Sequence, residues 1–372
     1  MSRNGKVIVA MSGGVDSSVA AWMLKQQGYE CLGVFMRIGQ HAGAADSCPS
    51  DGRRLRHGCC SAADAADARA IAGRLGIPFY VLDFEREFDQ IVDYFVDEYV
   101  AGRTPNPCIV CNIRLKFGRL LQYADLVDAQ YVATGHYARV LPGPQLARAK
   151  NAAKDQSYVL FGIRRSDLGR CLFPLGEVDD KAQVRAVAAE LGLRVHDKPD
   201  SQEICFVPQG DYRELIRQRR PEAFTPGELR DTSGRVLGRH QGLAAYTIGQ
   251  RRGLGIAAGE PLYVTRLDVL DNAVIVGRRE ALLRERLIAA GVNWLADPPP
   301  AGCGLPCHVK IRYTHCPAAA RLTVLPEAAE AAGSPQRVEV VFEQPQPAVT
   351  PGQAAVFYDD QIVLGGGWIE RQ

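Results

Sequence analysis

The sequence predicts an α/β chain in three parts: an N-terminal doubly wound parallel sheet, a small central mainly-β domain and a C-terminal β-barrel. Three observations carry this reading. Strand-like apolar runs alternate with amphipathic helical stretches over the first half of the chain, the pattern of βα units laid on a parallel sheet. Around residue 210 the texture changes, and from Pro226 onward helical spacing nearly vanishes in favour of short runs punctuated by turns. Strict alternation then appears at 308–313 and again at 337–343, and a compact barrel is the natural closure for such strands. The parts read as 1–210, 211–284 and 285–372.

Each N-terminal element has its own signal. The run 6–10 is an apolar strand that stops at Ser12-Gly13-Gly14, and Val19, Trp22 and Met23 then recur at helical spacing within 18–27. Residues 31–36 read as a second buried strand, followed by a polar excursion to Cys60 that holds Arg53, Arg54, Arg56 and His57. Ser61 with Asp64 resembles a capping box, and Ala68, Ile71, Ala72 and Leu75 form the apolar stripe of the helix behind it. A strand over 78–82, an amphipathic helix over 84–100 and a further strand over 131–137 complete the alternation. A ligand of such a sheet lies at the carboxyl ends of its strands, where the glycine turn is.

The later parts are read from turns. Asp231-Thr232-Ser233-Gly234 and Asp271-Asn272 punctuate strands that include 263–265 and 273–276. At 308–313, Val309, Ile311 and Tyr313 share one face, with His308, Lys310 and Arg312 on the other; at 337–343, Val338, Val340 and Phe342 share a face. The alanine-rich 327–333 reads as a loop or short helix, and there is no internal repeat.

The first turn carries chemistry. Two adjacent glycines let backbone N–H groups approach an anion, and the helix N-terminus adds partial positive charge, so the loop suits a phosphate. It is not the Walker loop, because no Gly-Lys-Ser/Thr follows and no nearby lysine could reach a terminal phosphate. Ser12-Gly13-Gly14-Val15-Asp16-Ser17-Ser18 instead resembles the pyrophosphatase-type (PP) loop of enzymes that split ATP to AMP and pyrophosphate. That resemblance implies ATP contacts from 10–18, that is Ala10, Met11, Ser12, Gly13, Gly14, Val15, Asp16, Ser17 and Ser18, with Asp16 supporting the loop or its Mg2+.

Composition narrows the classes. With 372 residues the chain exceeds one typical core. Charged residues are 23% and the formal net charge is +2, so any polyanion must be met by local patches. No apolar run is long enough for a membrane span, and Met-Ser-Arg-Asn-Gly-Lys lacks a secretion signal's apolar core, which predicts a cytoplasmic protein without a membrane partner. In that compartment the eleven cysteines read as buried thiols, metal ligands or redox-active sulfur.

Two cysteine stretches stand out. In 102–112 two prolines flank Asn106, which predicts a stiff extended loop with Cys111 leading into a helix over 113–123. A thiol there, with Arg103 and Arg114 near in sequence, is placed for a lowered pKa, although Cys108-Ile109-Val110-Cys111 also suits half of a zinc or iron–sulfur site. In 198–208, Cys205 sits in a loop between Pro199 and Pro208. Either cysteine, taken alone, reads equally as a buried inert thiol or a reactive one.

With these stretches in view, the chain resembles the bacterial tRNA-specific 2-thiouridylase family over essentially its whole length. The likeness includes 12–18, 104–112, 133–137, Lys154-Asp155-Gln156-Ser157, 200–206, 246–255, Arg312-Tyr313 and 351–353. It implies that O2 of the wobble uridine of tRNA attacks the α-phosphate of ATP, and that sulfur then displaces AMP. The resemblance makes Cys205 the carrier of a persulfide, fed by a cysteine desulfurase or a sulfur-relay protein, and Cys111 the partner nucleophile that frees sulfide or forms a disulfide with Cys205. It puts Met36 and Gly135 on the adenine, Asn106, Pro107 and Cys108 at the target base, and His136, Lys154, Asp155, Gln156, Arg312, Tyr313 and Gln353 on tRNA. The base must be flipped into the pocket, which a single-stranded anticodon loop makes cheaper. Lys310 with Arg312, and Arg251 with Arg252, are further candidate phosphate contacts.

One position departs from the family pattern. The best-known members carry an aspartate where this chain has Cys108. Cys108, Cys111 and Cys205 would suit three ligands of a [4Fe–4S] cluster with one open iron, a rival route to the same product. Cys48, Cys59 and Cys60 lack the spacing of a zinc ribbon or finger and read as structural or incidental thiols. The rival functions are a PP-loop ligase acting on a small molecule, which needs neither Cys111 nor Cys205, and a non-catalytic RNA- or metal-binding protein that keeps ATP as a structural ligand.

Overall fold

The structure, a computed structural model, describes residues 4–39, 62–193, 204–207, 211–256, 259–326 and 336–371. The polar excursion with Arg53, Arg54, Arg56, His57, Cys48, Cys59 and Cys60, the Ser61 cap, residues 198–203 and the alanine-rich 327–333 lie outside the described residues. The chain divides into two compact units, the first made of 1–92, 107–210 and 361–363, the second of 93–106, 211–360 and 364–372.

The first unit opens with β1 (Lys6–Ala10), α1 (Val15–Gln26) and β2 (Glu30–Arg37), followed by α2 (Ala62–Leu75), β3 (Phe79–Asp83) and the start of α3 (Glu85–Val100). Next come α4 (Pro107–Cys111), a π-helical stretch (Asn112–Arg119), α5 (Leu120–Leu126) and β4 (Tyr131–Ala133). The hairpin β5 (Ala138–Leu141) and β6 (Gln145–Arg148), then β7 (Cys171–Leu172) and α6 (Lys181–Glu190), finish it.

All five sheet strands run parallel in the order β3-β2-β1-β4-β7. Because β1 is covered on both faces, it reads as a continuous apolar run, with Val7, Ile8 and Val9 fully buried. Val7 pairs with Cys31 on one side and Tyr131 on the other, so the strand order reverses at β1 and opens a crevice at its carboxyl end. The loop 11–14 starts there.

Two expectations change. The strand expected over 131–137 ends at Ala133, since Thr134 and His136 bond to each other and Gly135 packs on α1. The extended loop ends earlier than expected: a helical turn starts at Pro107, because proline's fixed φ and missing N–H suit a first helical position.

In the second unit, α7 (Tyr212–Arg219) is capped by Asp211, whose carboxylate accepts from the Arg213 N–H at 3.0 Å. A four-stranded sheet follows in the order β10 (Tyr263–Asp268), β11 (Ala273–Gly277), β8 (Gly227–Asp231), β9 (Val236–His240). Its β8–β9 turn is the expected Asp-Thr-Ser-Gly, with the Asp231 carboxylate accepting from the N–H groups of Ser233 and Arg235 and Gly234 at φ +89°.

The barrel comprises β12 (Leu283–Trp294), β13 (Gly304–Lys310), β14 (Ala318–Val324), β15 (Arg337–Pro347), β16 (Ala354–Asp359) and β17 (Ile362–Ile369). Its order is β12-β15-β14-β13-β16-β17, and pairing of β12 with β17 closes the ring and removes both edges. Val338, Val340 and Phe342 point inward as their alternation predicts. The basic outward face expected over 308–313, with Lys310 as a phosphate contact, does not hold: β13 ends at Lys310, and Lys310 is buried between Val309 and Ile311 with its ammonium 5.4 Å from the Tyr313 ring centroid. Strand alternation ends with the strand, so it gives no guide to Arg312 and Tyr313.

Phe357 is fully buried in the barrel, 6.0 Å from the Trp294 ring. Phe357→Ala is expected to lower stability by about 3–5 kcal/mol, read from urea unfolding.

Candidate active site

The loop at the end of β1 is shaped by its backbone. The Met11 N–H bonds the Val34 carbonyl at 2.8 Å, which holds the loop's first residue against β2. Gly13 stands at φ +73°, and a Cβ there would lie 2.4 Å from the Asp64 carbonyl oxygen, so only glycine fits. Gly14 is the N-cap of α1 and offers no side-chain acceptor. The N–H groups of the first turn therefore face the crevice without a side-chain cap, which is what an anion needs.

The serines brace this loop. The hydroxyls of Ser17 and Ser18 donate to the Gly14 carbonyl at 3.2 and 2.6 Å, and the Ser12 N–H donates to Ser17 Oγ at 3.2 Å. Asp16 is held from two directions. Tyr137 donates its hydroxyl to Oδ1 at 2.9 Å, and Lys181 Nζ reaches Oδ2 at 3.0 Å while lying 5.8 Å from the Tyr137 ring centroid. Lys181 was invisible to sequence reasoning, because it lies 165 residues from Asp16 and belongs to no motif.

Gly135 lies directly against this helix start: a Cβ there would be 2.8 Å from Asp16 C and Ser17 N. Met36, at the carboxyl end of β2, is half-buried. His136 follows, with Nδ1 2.6 Å from Thr134 Oγ1 and its ring packed against those of Phe117 and Phe173, both 6.3 Å away. Burial first, and Lys116 second, push its pKa well below the ordinary histidine value, so the ring is neutral.

The thiols fall into two groups. Cys31, Cys171 and Cys307 are buried, and burial pushes them up to about 11, about 12 and about 12 respectively, so they stay protonated and inert. Cys108 is exposed, whereas Cys111 and Cys205 are half-buried. The helix dipole expected to serve Cys111 falls instead on Cys108, the second residue of α4, and the charge of Arg103 is taken up by its ion pair with Glu98. Cys111 ends α4 where the helix widens into its π-helical stretch. There Asn112 donates to the Val159 carbonyl at 2.9 Å, and its buried Oδ1 has no partner among the described residues. Cys205 lies in a turn closed by the Val207 N–H on the Ile204 carbonyl, beside Phe206 packed edge-on to Phe88.

Among the described residues no three His, Cys, Asp or Glu side chains converge to hold a metal ion. Cys108, Cys111 and Cys205 do not form such a group as placed. Both oxygens of Asp16 are engaged by protein groups, which favours its loop-bracing role; magnesium, which commonly takes substrate phosphates and waters as ligands, has no protein cage here.

Three family models tile the chain: a tRNA methyl transferase HUP domain over 5–209, a tRNA methyl transferase PRC-barrel domain over 213–278 and an aminomethyltransferase beta-barrel domain over 284–369. The tRNA-specific 2-thiouridylase MnmA of Rhodopirellula baltica is 47% identical over 98% of this chain and 96% of its own length. That of Symbiobacterium thermophilum is 48% identical over 98% of this chain and 92% of its own, and that of Roseiflexus castenholzii 46% over 98% and 99%. The chain belongs to the tRNA-specific 2-thiouridylase family.

Against that family's expected tRNA contacts, several side chains here are engaged with their own chain. Asp155 accepts from the N–H groups of Ala149 and Ser157 and from the Ser157 hydroxyl, and so organises its own turn. Gln156 clamps Tyr137, its N–H donating to the Tyr137 carbonyl at 2.8 Å and its Oε1 accepting from the Tyr137 N–H at 2.9 Å. Lys154 is half-buried at the start of that turn. In the second unit, Gln353 donates to the carbonyls of Thr104 and Pro105, both at 3.0 Å, fixing the backbone just before Asn106. Arg312 donates to the Pro347 carbonyl at 3.2 Å, and Tyr313 is 43% exposed, enough to stack on a base.

The lowered pKa of His136 fixes a sign. As pH falls through about 6.5 an unfolded histidine takes up a proton that the folded ring refuses, so stability contributed above that pH is lost on acidification. The stability gap between wild type and His136→Gln is expected to be widest above about pH 7 and to shrink towards about pH 5, measured by urea unfolding across that range.

Proposed function

We propose that this chain catalyses ATP-dependent 2-thiolation of the wobble uridine of tRNA. The observation that carries the reading is the uncapped N-terminus of α1 behind Gly13-Gly14 at the sheet's switch point, in a chain related over its whole length to 2-thiouridylases. Residues 1–210 handle ATP and the target base, and 285–372 contribute tRNA contacts.

ATP sits with its phosphates on the N–H groups of the loop, Ala10 to Ser18 surrounding it and Met36 and Gly135 flanking the adenine. Uridine O2 attacks the α-phosphorus, the bond from that phosphorus to the bridging oxygen breaks, and pyrophosphate leaves with the electron pair. The N3 proton is released, and the adenylated base is electrophilic at C2. The terminal sulfur of a Cys205 persulfide adds to C2, and AMP leaves with the electron pair of the C2–O bond. The Cys111 thiolate then attacks the inner Cys205 sulfur. The sulfur–sulfur bond breaks towards the base, which keeps sulfur at C2, and a Cys111–Cys205 disulfide forms. An external thiol restores the pair, and a persulfide-bearing relay protein or desulfurase recharges Cys205. Mg2+ carried in on the phosphates supplies charge neutralisation there.

Asn106, Pro107 and Cys108 form the turn that meets the flipped base, its approach fixed by Gln353 on Thr104 and Pro105. A thiol at Cys108 replaces the aspartate of well-known members, so base positioning here relies on the backbone of this turn and on neutral His136 as a hydrogen-bonding partner.

The test is thionucleoside formation in unmodified tRNA supplied with ATP, magnesium, cysteine and a desulfurase, read by mass spectrometry. Wild type is expected to yield 2-thiouridine, and Cys205→Ser and Cys111→Ser to lose at least about 10³-fold in rate while still releasing pyrophosphate on tRNA. Full thiolation by both variants contradicts the persulfide route, and AMP release indifferent to tRNA points to a ligase acting on a small molecule.

A further inference from the structure

We infer that Lys181 is a catalytic residue of the ATP-cleaving step: the cation that the Walker loop carries in its own sequence, and that this loop lacks, is delivered here from the first turn of α6 to the phosphates that leave as pyrophosphate. The inference rests on the proposed adenylation and adds a residue to it.

The position of Lys181 is not explained by the helix it starts. It is the first residue of α6, directly after the N-cap Asp180, which accepts from the Ala182 N–H at 2.9 Å. A cation in a first turn faces the positive end of the helix dipole and is disfavoured there. Its side chain is also only 12% exposed, so it has given up most of its water. Both costs are offset where its ammonium meets the Asp16 carboxylate at 3.0 Å and lies over the Tyr137 ring at 5.8 Å. Asp16 is the second residue of α1, one turn from Gly13 and Gly14. The ammonium is thus held beside the uncapped N-terminus that receives the phosphates.

The reaction needs charge at this place. As the bond from the α-phosphorus to the bridging oxygen breaks, its electron pair passes to pyrophosphate, and negative charge grows on the leaving group. The first-turn N–H groups of α1 offer only partial charges. A full positive charge that strengthens its contact as the leaving group gains charge lowers the barrier itself, without taking or giving a proton. Asp16 and Tyr137 are then positioning residues: they hold Lys181 in the desolvated crevice before ATP arrives.

A purely structural reading of the same contacts is that Lys181 only neutralises Asp16 and ties α6 to α1. The two are separated by Lys181→Gln, which can still donate to Asp16 but carries no charge, with Lys181→Met as the stricter deletion. The measurements are melting temperature, dissociation constants for ATP and for AMP by equilibrium dialysis, and single-turnover pyrophosphate release on unmodified tRNA. If the inference holds, Lys181→Gln melts near wild type, binds AMP within about twofold of it, loses about tenfold in ATP affinity and loses about 10²–10³-fold in pyrophosphate release. If ATP and AMP affinities fall together, or release stays within about threefold of wild type, the role is structural and the inference is overturned. Should Lys181→Met melt early, the ratio of ATP to AMP affinity in Lys181→Gln decides alone. Failure of wild type to release pyrophosphate on tRNA would overturn the adenylation reading, a result distinct from equal release by wild type and variant.

Discussion

The carboxylate of Asp16 joins segments that sequence separates by more than a hundred positions. One oxygen takes the Tyr137 hydroxyl and the other the Lys181 ammonium, so the phosphate loop, the segment that follows β4 and the start of α6 share one group. Hydrogen bonds to a charged partner contribute about 1.5–3 kcal/mol each, and removing one partner leaves a half-buried charge uncompensated. The geometry of the nucleotide crevice therefore depends on a contact that none of the three segments makes alone. It also makes the phosphate loop stiff before ATP binds, since Gly13 has no room to become another residue and Ser17 and Ser18 are tied to Gly14. A pre-organised loop spends little of the binding free energy on ordering itself.

The same economy appears where tRNA contacts are expected. Gln156 and Gln353 each bond backbone rather than reaching outward, Gln156 to Tyr137 and Gln353 to Thr104 and Pro105. Glutamine is suited to this, as its amide both donates and accepts and matches a peptide group. Each glutamine shapes a turn beside a residue proposed to meet RNA: His136 in one case and Asn106 in the other. Tyr313, by contrast, leaves 43% of its surface exposed.

What could be read from sequence was what is written in short windows. The glycine turn at 12–14, the strands that flank it and the Asp231–Gly234 turn each depend on residues a few positions apart and appeared where expected, although α1 begins at Val15, earlier than the helical spacing within 18–27 placed it. The closed barrel followed from alternation at 337–343, because Val338, Val340 and Phe342 needed a common interior. Three features escaped for physical reasons. The start of α4 was missed because Pro107, read as a breaker, is also the preferred first residue of a helix. Lys310 was read as a phosphate contact on the outer face of an alternating run, but it is the last residue of β13 and is buried beside Val309 and Ile311. Lys181 escaped altogether, as a contact across 165 residues leaves no local trace.

The proposed chemistry turns on one step, in which uridine O2 is the nucleophile that opens ATP. Unmodified tRNA carrying 18O at C2 of the wobble uridine, turned over by the wild-type protein with ATP, magnesium and a persulfide donor, tests it through the mass of the AMP released. AMP carrying one 18O from the base, with sulfur in its place on uridine, is the predicted result. Unlabelled AMP alongside thiolated tRNA would contradict it, because sulfur would then have entered without the base oxygen ever being bonded to phosphorus.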